Sequence, residues 1–521
     1  MKELPQRPHL GHLKKQAKEL LDGYRQIDGA ALDRMRAALP AATGRDEAAI
    51  VAMNLRLHDA QSCIAREYGF VSWAQLKDYV EAQAAAVVVD NGTLLRRWML
   101  WTFGAGYQPA KPQLAARMLR EHPQLLDGNP ALACAVGDLA SVRRTIADGA
   151  QWARTRSSTA AMSPLHCACF SGLIRLPEYA QGIRDCVALL LTAGSDPRDT
   201  TVDPAFPDDP LSALYGAAGR NHDPDLTGML LDAGADPNDG ESLYHAAEAT
   251  DSACVRLLLE AGARVSGSNA LMRSLDFERP QTLRLMLAHG GDPNEAGPLG
   301  CPLTHAIRRR RSPEIVRILL DAGANPASRD AQGVSAYRLA RRMGLSEVAE
   351  LLRNAGEVAE DDAQEEFLAA CARAERVAVL DALARQPGLI DELDENTLRL
   401  LPDLTAAGCG EAVRLMVEVG WPIAVRGGDI QGSALNHAVF RGDSTLAAFL
   451  LAHGAHYDER HGYNDNVFGT LSFASRNGST PNGDWLGCAK AMIDSGAPLP
   501  DARYEFSDDV AEYFSELRMA V

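Results

Sequence analysis

The 521-residue sequence has no long apolar run: stretches such as residues 84–89 are far short of the roughly 20 residues a membrane-spanning helix needs. The residues after Met1 lead into an amphipathic Lys- and Glu-bearing stretch with no secretory apolar core, so a cytoplasmic location is expected. Positive charge is also scarce. With 52 Lys and Arg against 69 Asp and Glu, the net charge is -17, which weighs against a general nucleic-acid binder and against an anionic-membrane binder. Gly-x-Ser-x-Gly, phosphate-loop and His-Glu-x-x-His phrases are all missing, which lowers the expectation of an enzyme. Triads assembled from distant residues keep that possibility open. The ten cysteines are scattered, several of them inside helical patterns. They read as small buried hydrophobes in a reducing compartment rather than a disulfide framework. His166-Cys-Ala-Cys169 lacks the second ligand pair of a zinc site. No cofactor is expected.

What is present is repetition. A leucine-rich helical run that stops at a glycine recurs at Gly149, Gly194, Gly234, Gly262, Gly290, Gly323, Gly356, Gly388, Gly420, Gly454 and Gly496. The clearest copies are Leu189-Leu-Leu-Thr-Ala-Gly-Ser-Asp-Pro197, Leu230-Leu-Asp-Ala-Gly-Ala-Asp-Pro-Asn238 and Leu319-Leu-Asp-Ala-Gly-Ala-Asn-Pro326. A period near 33 residues predicts stacked supersecondary units without one closed core. Each unit offers a helix that proline can start and a second helix that a left-handed glycine ends. Neither helix can bury both faces alone, so stability must come from stacking.

The first segment, to about residue 84, has a different character. Helices are predicted from Leu10 to a stop near Gly23, from Ala31 to Leu39, from Leu55 to Tyr68, and from Trp73 to Val80 behind an Ser72 cap. Its run Ala65-Arg-Glu-Tyr-Gly-Phe-Val-Ser-Trp-Ala-Gln-Leu-Lys77 resembles the helical module found ahead of ankyrin repeats in many bacterial proteins. The resemblance implies a bacterial source, with repeats to follow. Tyr68, Phe70 and Trp73 are read as the module's core, with a docking face as the alternative.

The repeats also share openings. Ser163-Pro-Leu-His-Cys-Ala168 is close to the Thr-Pro-Leu-His-x-Ala phrase of ankyrin repeats, and weaker versions begin at Leu214, Leu243, Cys301, Val334 and Ser433. With the Gly-Ala-Asp-Pro-Asn close, the region from Thr93 to Pro500 resembles an ankyrin array. The expected fold is therefore all-α: an ankyrin-repeat solenoid of about 11–12 helix pairs after a small helical domain. The expected divisions are residues 1–84, repeats at 93–356 with a divergent first unit, repeats at 357–499, and a capping helix at 500–521. Residues 84–93 read as a linker. The acidic run 357–366, where the opening phrase is lost, is read either as a boundary between two blocks or as a solvated surface.

Candidate functional residues follow from the same pattern. Histidines near the openings (His166, His245, His305, His437) belong to separate repeats, too far apart on family geometry for one metal, so structural or surface roles are expected. The run Arg308, Arg309, Arg310 and Arg311 stands out in an acidic chain, and in ankyrin-like stacks its position borders the concave surface. Arg220, Phe277, Phe440, Arg441 and Arg476 occupy comparable places in other repeats, and the loop 453–466 adds Tyr457 and Tyr463. Arginines interleaved with aromatics suit a protein partner carrying an acidic segment. The alternative is a solvated face whose charges pair with Asp276 or Glu278. The leading expectation is a non-catalytic interaction scaffold that binds no nucleic acid or membrane, its oligomeric state left open. The rival is an enzyme or small-molecule binder with a pocket walled by the atypical loops 170–185, 197–210 and 453–466.

Overall fold

The computed structural model describes the chain except residues 1, 3, 6, 7, 71, 87–90, 107, 204, 298, 299, 357–361, 479, 481, 482 and 521. Part of the expected linker and residues 357–361 of the acidic run therefore lie outside the described residues. Among the described residues no helix is long and apolar enough to cross a membrane. The chain divides into two compact units, Met1–Arg264 and Val265–Val521.

The N-terminal unit begins with helices Leu10–Arg25, Gly29–Ala38, Glu47–Ala52, Leu57–Glu67 and Trp73–Ala86. The first helix runs through Gly23 instead of stopping there. Its buried stripe of Leu13, Ala17, Leu20 and Leu21 continues to Tyr24, whose hydroxyl reaches the carbonyls of Ile50 and Val51 at 3.0 Å. That buried anchor offsets the roughly 1 kcal/mol that a glycine costs inside a helix. The carbonyls it reaches belong to the short Glu47–Ala52 helix, capped by Asp46 and too brief to show a hydrophobic period.

Tyr68, Phe70 and Trp73 are buried. Phe70 also works as a docking residue. The Arg117 guanidinium lies 4.4 Å from its ring centre and 4.5 Å from that of Tyr79, and Arg117 Nη1 donates to the Tyr68 carbonyl at 3.2 Å. With the Lys111–Asp78 ion pair, these contacts fasten the module to the first helix pair, Asn91–Phe103 with Pro112–Glu121. Further pairs follow: Pro130–Val136 with Leu139–Asp148, Pro164–Cys169 with Pro177–Thr192, Tyr215–Arg220 with Pro224–Asp232, and Ser242–Ala246 with Ala253–Glu260.

Two local departures shape this unit. The proline-rich connection is partly a β-hairpin, Thr200–Asp203 against Phe206–Ser212, antiparallel with Val202 opposite Pro210 and a bulge at Val202/Asp203. Tyr215–Arg220 is a π-helical turn. Its glycines permit the close packing: a Cβ on Gly216 would stand 2.6 Å from the Phe170 ring, and one on Gly219 2.7 Å from the Tyr215 ring.

In the C-terminal unit the pairs are Ala270–Ser274 with Pro280–Ala288, Pro302–Arg308 with Pro313–Asp321, Ala336–Arg342 with Ser346–Asn354, and Ala363–Ala372 with Arg376–Arg385. Leu400–Ala406 with Gly410–Glu418, Ala434–Arg441 with Ser444–Ala452, and Val467–Asn477 with Trp485–Asp494 complete them. The helix Asp508–Ala520 closes the unit, burying Val510 and Phe514. First helices of successive pairs pack on one another, and so do several of the second helices. Between Ala363–Ala372 and the next pair that order changes: the first helix packs chiefly on Gly410–Glu418, a second helix. This seam falls where the opening phrase is lost.

Nine of the eleven stop glycines take positive φ, between 87° at Gly290 and 99° at Gly454. The other two do not. Gly149 is extended (φ 178°) ahead of a 3-10 turn, and Gly388 lies beyond its helix, which ends at Arg385.

Candidate functional site

The first helices of the C-terminal unit end at residues in the left-handed region, among them Arg310, Gly344, Ala374, Gly408, Gly442 and Gly478. The side chains just before those residues form a column beside exposed carbonyl ends, where cations are favoured. Arg308 and Arg309 stand there, with Arg310 and Arg311 directly after, and each of the four is held from within the chain. Arg308 donates to Asp330 Oδ2 at 2.6 Å and Gln332 Oε1 at 2.7 Å. Arg309 Nε donates to Asp276 Oδ1 at 2.8 Å while its Nη1 pairs with Asp429. Arg310 donates to the Met343 carbonyl, and Arg311 folds back onto the Arg309 carbonyl with Glu278 at 3.7 Å. Burial pushes Asp276 up, but hydrogen bonds from His305 and Arg273 and the charge of Arg309 outweigh it, leaving the carboxyl at about 2.

Behind Arg308 is a small cavity of about 60 Å³, lined by Asp330, Arg342, Asn396, Arg399 and Asp403 among others. That is space for about two waters. Burial raises the Asp403 carboxyl, which accepts from the Gly428 amide at 2.7 Å.

Farther along the same column Phe440 stacks on Phe473, with ring centres 6.2 Å apart and planes within 12°. Phe473 is 52% exposed, one of few large apolar side chains in open solvent. Arg441 donates to the Ala406 carbonyl at 3.1 Å, and Arg476 pairs with Glu505 at 2.9 Å. Tyr463, in the loop before the Phe473 helix, is 78% exposed, whereas Tyr457 is half-buried against Phe468. The pattern thus places Phe440, Arg441 and Arg476 on neighbouring helices and leaves the four arginines at another stretch of the column. Phe277 is separate again, flanked by Arg273 and Arg279. Sequence reasoning passed over Phe473, Asp429, Arg342 and Glu365. For Phe473 a signal existed: it stands seven residues past Asn466, as Phe440 does past Ser433.

In the N-terminal unit Arg220 donates to the Phe103 carbonyl and lies 5.2 Å from the Phe170 ring centre. The histidines serve unlike local roles. His166 is fully buried, bonded to Ser163 Oγ at 2.8 Å, and burial lowers it to about 4. Burial also acts to lower His245, but hydrogen bonds to Glu241 and Glu248 raise it to about 9. In the C-terminal unit His305 bonds Asp276 at 3.0 Å, and His437 reaches the Gly427 carbonyl at 2.8 Å.

The atypical loops are largely engaged by their own unit. The hairpin tip at Asp203 accepts from the Gly106 amide at 2.8 Å. Residues from 170–185 form the turn Gly172–Arg175 against the first helix pair. Leu176 and Glu178 help line a recess of about 500 Å³ with Tyr68, Phe70, Arg117 and Arg120. Among the described residues no serine, cysteine or histidine lines it.

The ankyrin repeats family (three copies) matches residues 214–296. The chain is similar to the ankyrin repeat domain of Bcl-3, a unique member of the IkappaB protein family: 20% identity, 48% of this chain and 97% of that one, TM-score 0.22. It is similar to the human ASB11 ankyrin repeat domain at 17% identity, covering 44% and 99%, with a TM-score of 0.21. Similarity to an ankyrin repeat domain from Acinetobacter baumannii AYE is 26% identity over 37% and 97%, TM-score 0.31. No curated protein matches significantly. Ankyrin repeats are thus present at residues 214–296, in a chain that is mostly helical.

Proposed function

We propose that the chain is a non-catalytic recognition scaffold that binds another protein on the first-helix face of its C-terminal unit. Ankyrin repeats are generally protein–protein interaction modules. The observation that carries the reading is the exposed Phe473–Phe440 stack flanked by Arg441 and Arg476. Aromatic and arginine side chains supply most of the energy of protein interfaces, and a stack already ordered before binding loses little entropy on association. The arginines favour an acidic partner segment, and the exposed Tyr463 in the preceding loop is a second aromatic available to a partner. The same reading takes the protein to be cytoplasmic and bacterial, with residues 1–84 as the bacterial-type N-terminal module. It groups the repeats as 93–356 and 357–499, closed by 500–521.

Phe473 is half exposed, so Phe473→Ser should preserve circular dichroism and melting temperature while lowering partner recovery about fivefold or more in affinity capture. Equal recovery by the variant and the parent protein overturns the reading.

A further inference from the structure

One ion pair in the C-terminal unit joins residues far apart in the repeat order. Arg309 follows the helix Pro302–Arg308, and Asp429 lies in the loop ahead of Ala434–Arg441, with three complete helix pairs between them. The two ends of the contact are unequal. Asp429 is 69% exposed and makes no other side-chain bond among the described residues. Arg309 is held independently, because Asp276 keeps its Nε at 2.8 Å. Removing Asp429 would leave the guanidinium fixed, with Nη1 free for another carboxylate. The same loop covers a second arginine, since Gln431 Oε1 accepts from Arg399 Nη2 at 3.2 Å.

We propose that the side chains of Asp429 and Gln431, on a loop whose backbone stays pinned by Asp403 and His437, are internal stand-ins for a ligand: they occupy Arg309 and Arg399 in the free protein and give way to a carboxylate-rich segment of the partner. This rests on the scaffold reading above and adds the partner's chemistry and a means of restraint. An exposed ion pair contributes little stability, so an incoming acidic chain competes on nearly equal terms. The preset guanidinium meanwhile offers charge-assisted bonding at low ordering cost. Binding and displacement are both electrostatic, so the exchange is sharpest at low ionic strength.

The test uses the full chain and fluorescein-labelled hexaglutamate, followed by fluorescence anisotropy at low salt. Asp429→Asn should bind the probe about two- to fivefold tighter than the parent protein, the ratio set by removing one exposed pair. Arg309→Gln should weaken binding whether or not Asp429 is present. Unchanged affinity in Asp429→Asn, no probe binding by either protein, or equal binding of a thymidine oligonucleotide of the same charge would each overturn the proposal. Failure here with Phe473→Ser still losing its partner removes only the stand-in. If Phe473→Ser keeps its partner, the scaffold reading falls whatever the probe does.

Discussion

Each unit contains a loop that reaches back to an earlier helix pair, and the two differ in how they are held. In the N-terminal unit the hairpin tip takes a backbone amide at Asp203, and Arg220, half-buried and set over the Phe170 ring, is tied to the Phe103 carbonyl. In the C-terminal unit the loop backbone is pinned to the neighbouring pair through Asp403, and its longer reach, across three helix pairs, is one contact between a largely exposed carboxylate and an arginine already anchored elsewhere. The first arrangement would leave backbone polar groups unpaired if it opened, whereas the second returns its charge to water. Sequence separation is similar in the two, so burial and partner type decide which closure is fixed and which is reversible.

The strongest test of that rule is a third arginine. Arg342 makes a two-pronged bond to Glu365, Nε at 3.0 Å and Nη2 at 2.5 Å, across the junction between neighbouring pairs. Glu365 is only 2% exposed. Arg342→Ala strands that carboxylate, with Arg338 at 3.7 Å as an imperfect substitute. The expected loss is about 3 kcal/mol of unfolding free energy, measurable by urea denaturation. A loss under about 1 kcal/mol would break the link between burial and permanence.

Arg220→Ala is the intermediate case. It removes the bond to Phe103 and the contact with Phe170, at an expected cost of about 2 kcal/mol. Protection of amides in residues 91–110 against hydrogen exchange should fall with it. Unchanged protection there would mean that the hairpin alone keeps the N-terminal closure.

Much of this was legible in the sequence, and the parts that were not share a cause. Helix stops, repeat spacing and the N-terminal helices depend on neighbours within a few residues, so local patterns report them. The exceptions are instructive. Gly23 failed as a stop because Tyr24 found a buried site on a helix more than 20 residues ahead. The hairpin at 200–212 was hidden by its own prolines, which argue against a strand. The four arginines were conspicuous, and the pairing with Asp276 and Glu278 read as the alternative is present at Arg309 and Arg311, but Asp429 lies too far along the chain for charge or period to identify it. Exposure is equally non-local: Phe440 and Phe473 have similar sequence surroundings, yet Phe473 is the more exposed of the two.

The smallest expected effect is the most discriminating. Arg309→Gln, Asp429→Asn and the double variant form a thermodynamic cycle on stability. The rule above places their coupling below about 1 kcal/mol, because Asp429 stands mostly in water and screening weakens what remains. Raising the salt concentration should shrink the coupling toward zero while leaving the Arg342 effect nearly intact, since Glu365 is shielded from ions. A coupling of about 2 kcal/mol or more that resists salt would make the Arg309–Asp429 contact a structural strut. The two units would then close by the same means, and an acidic ligand would have to break the fold to enter.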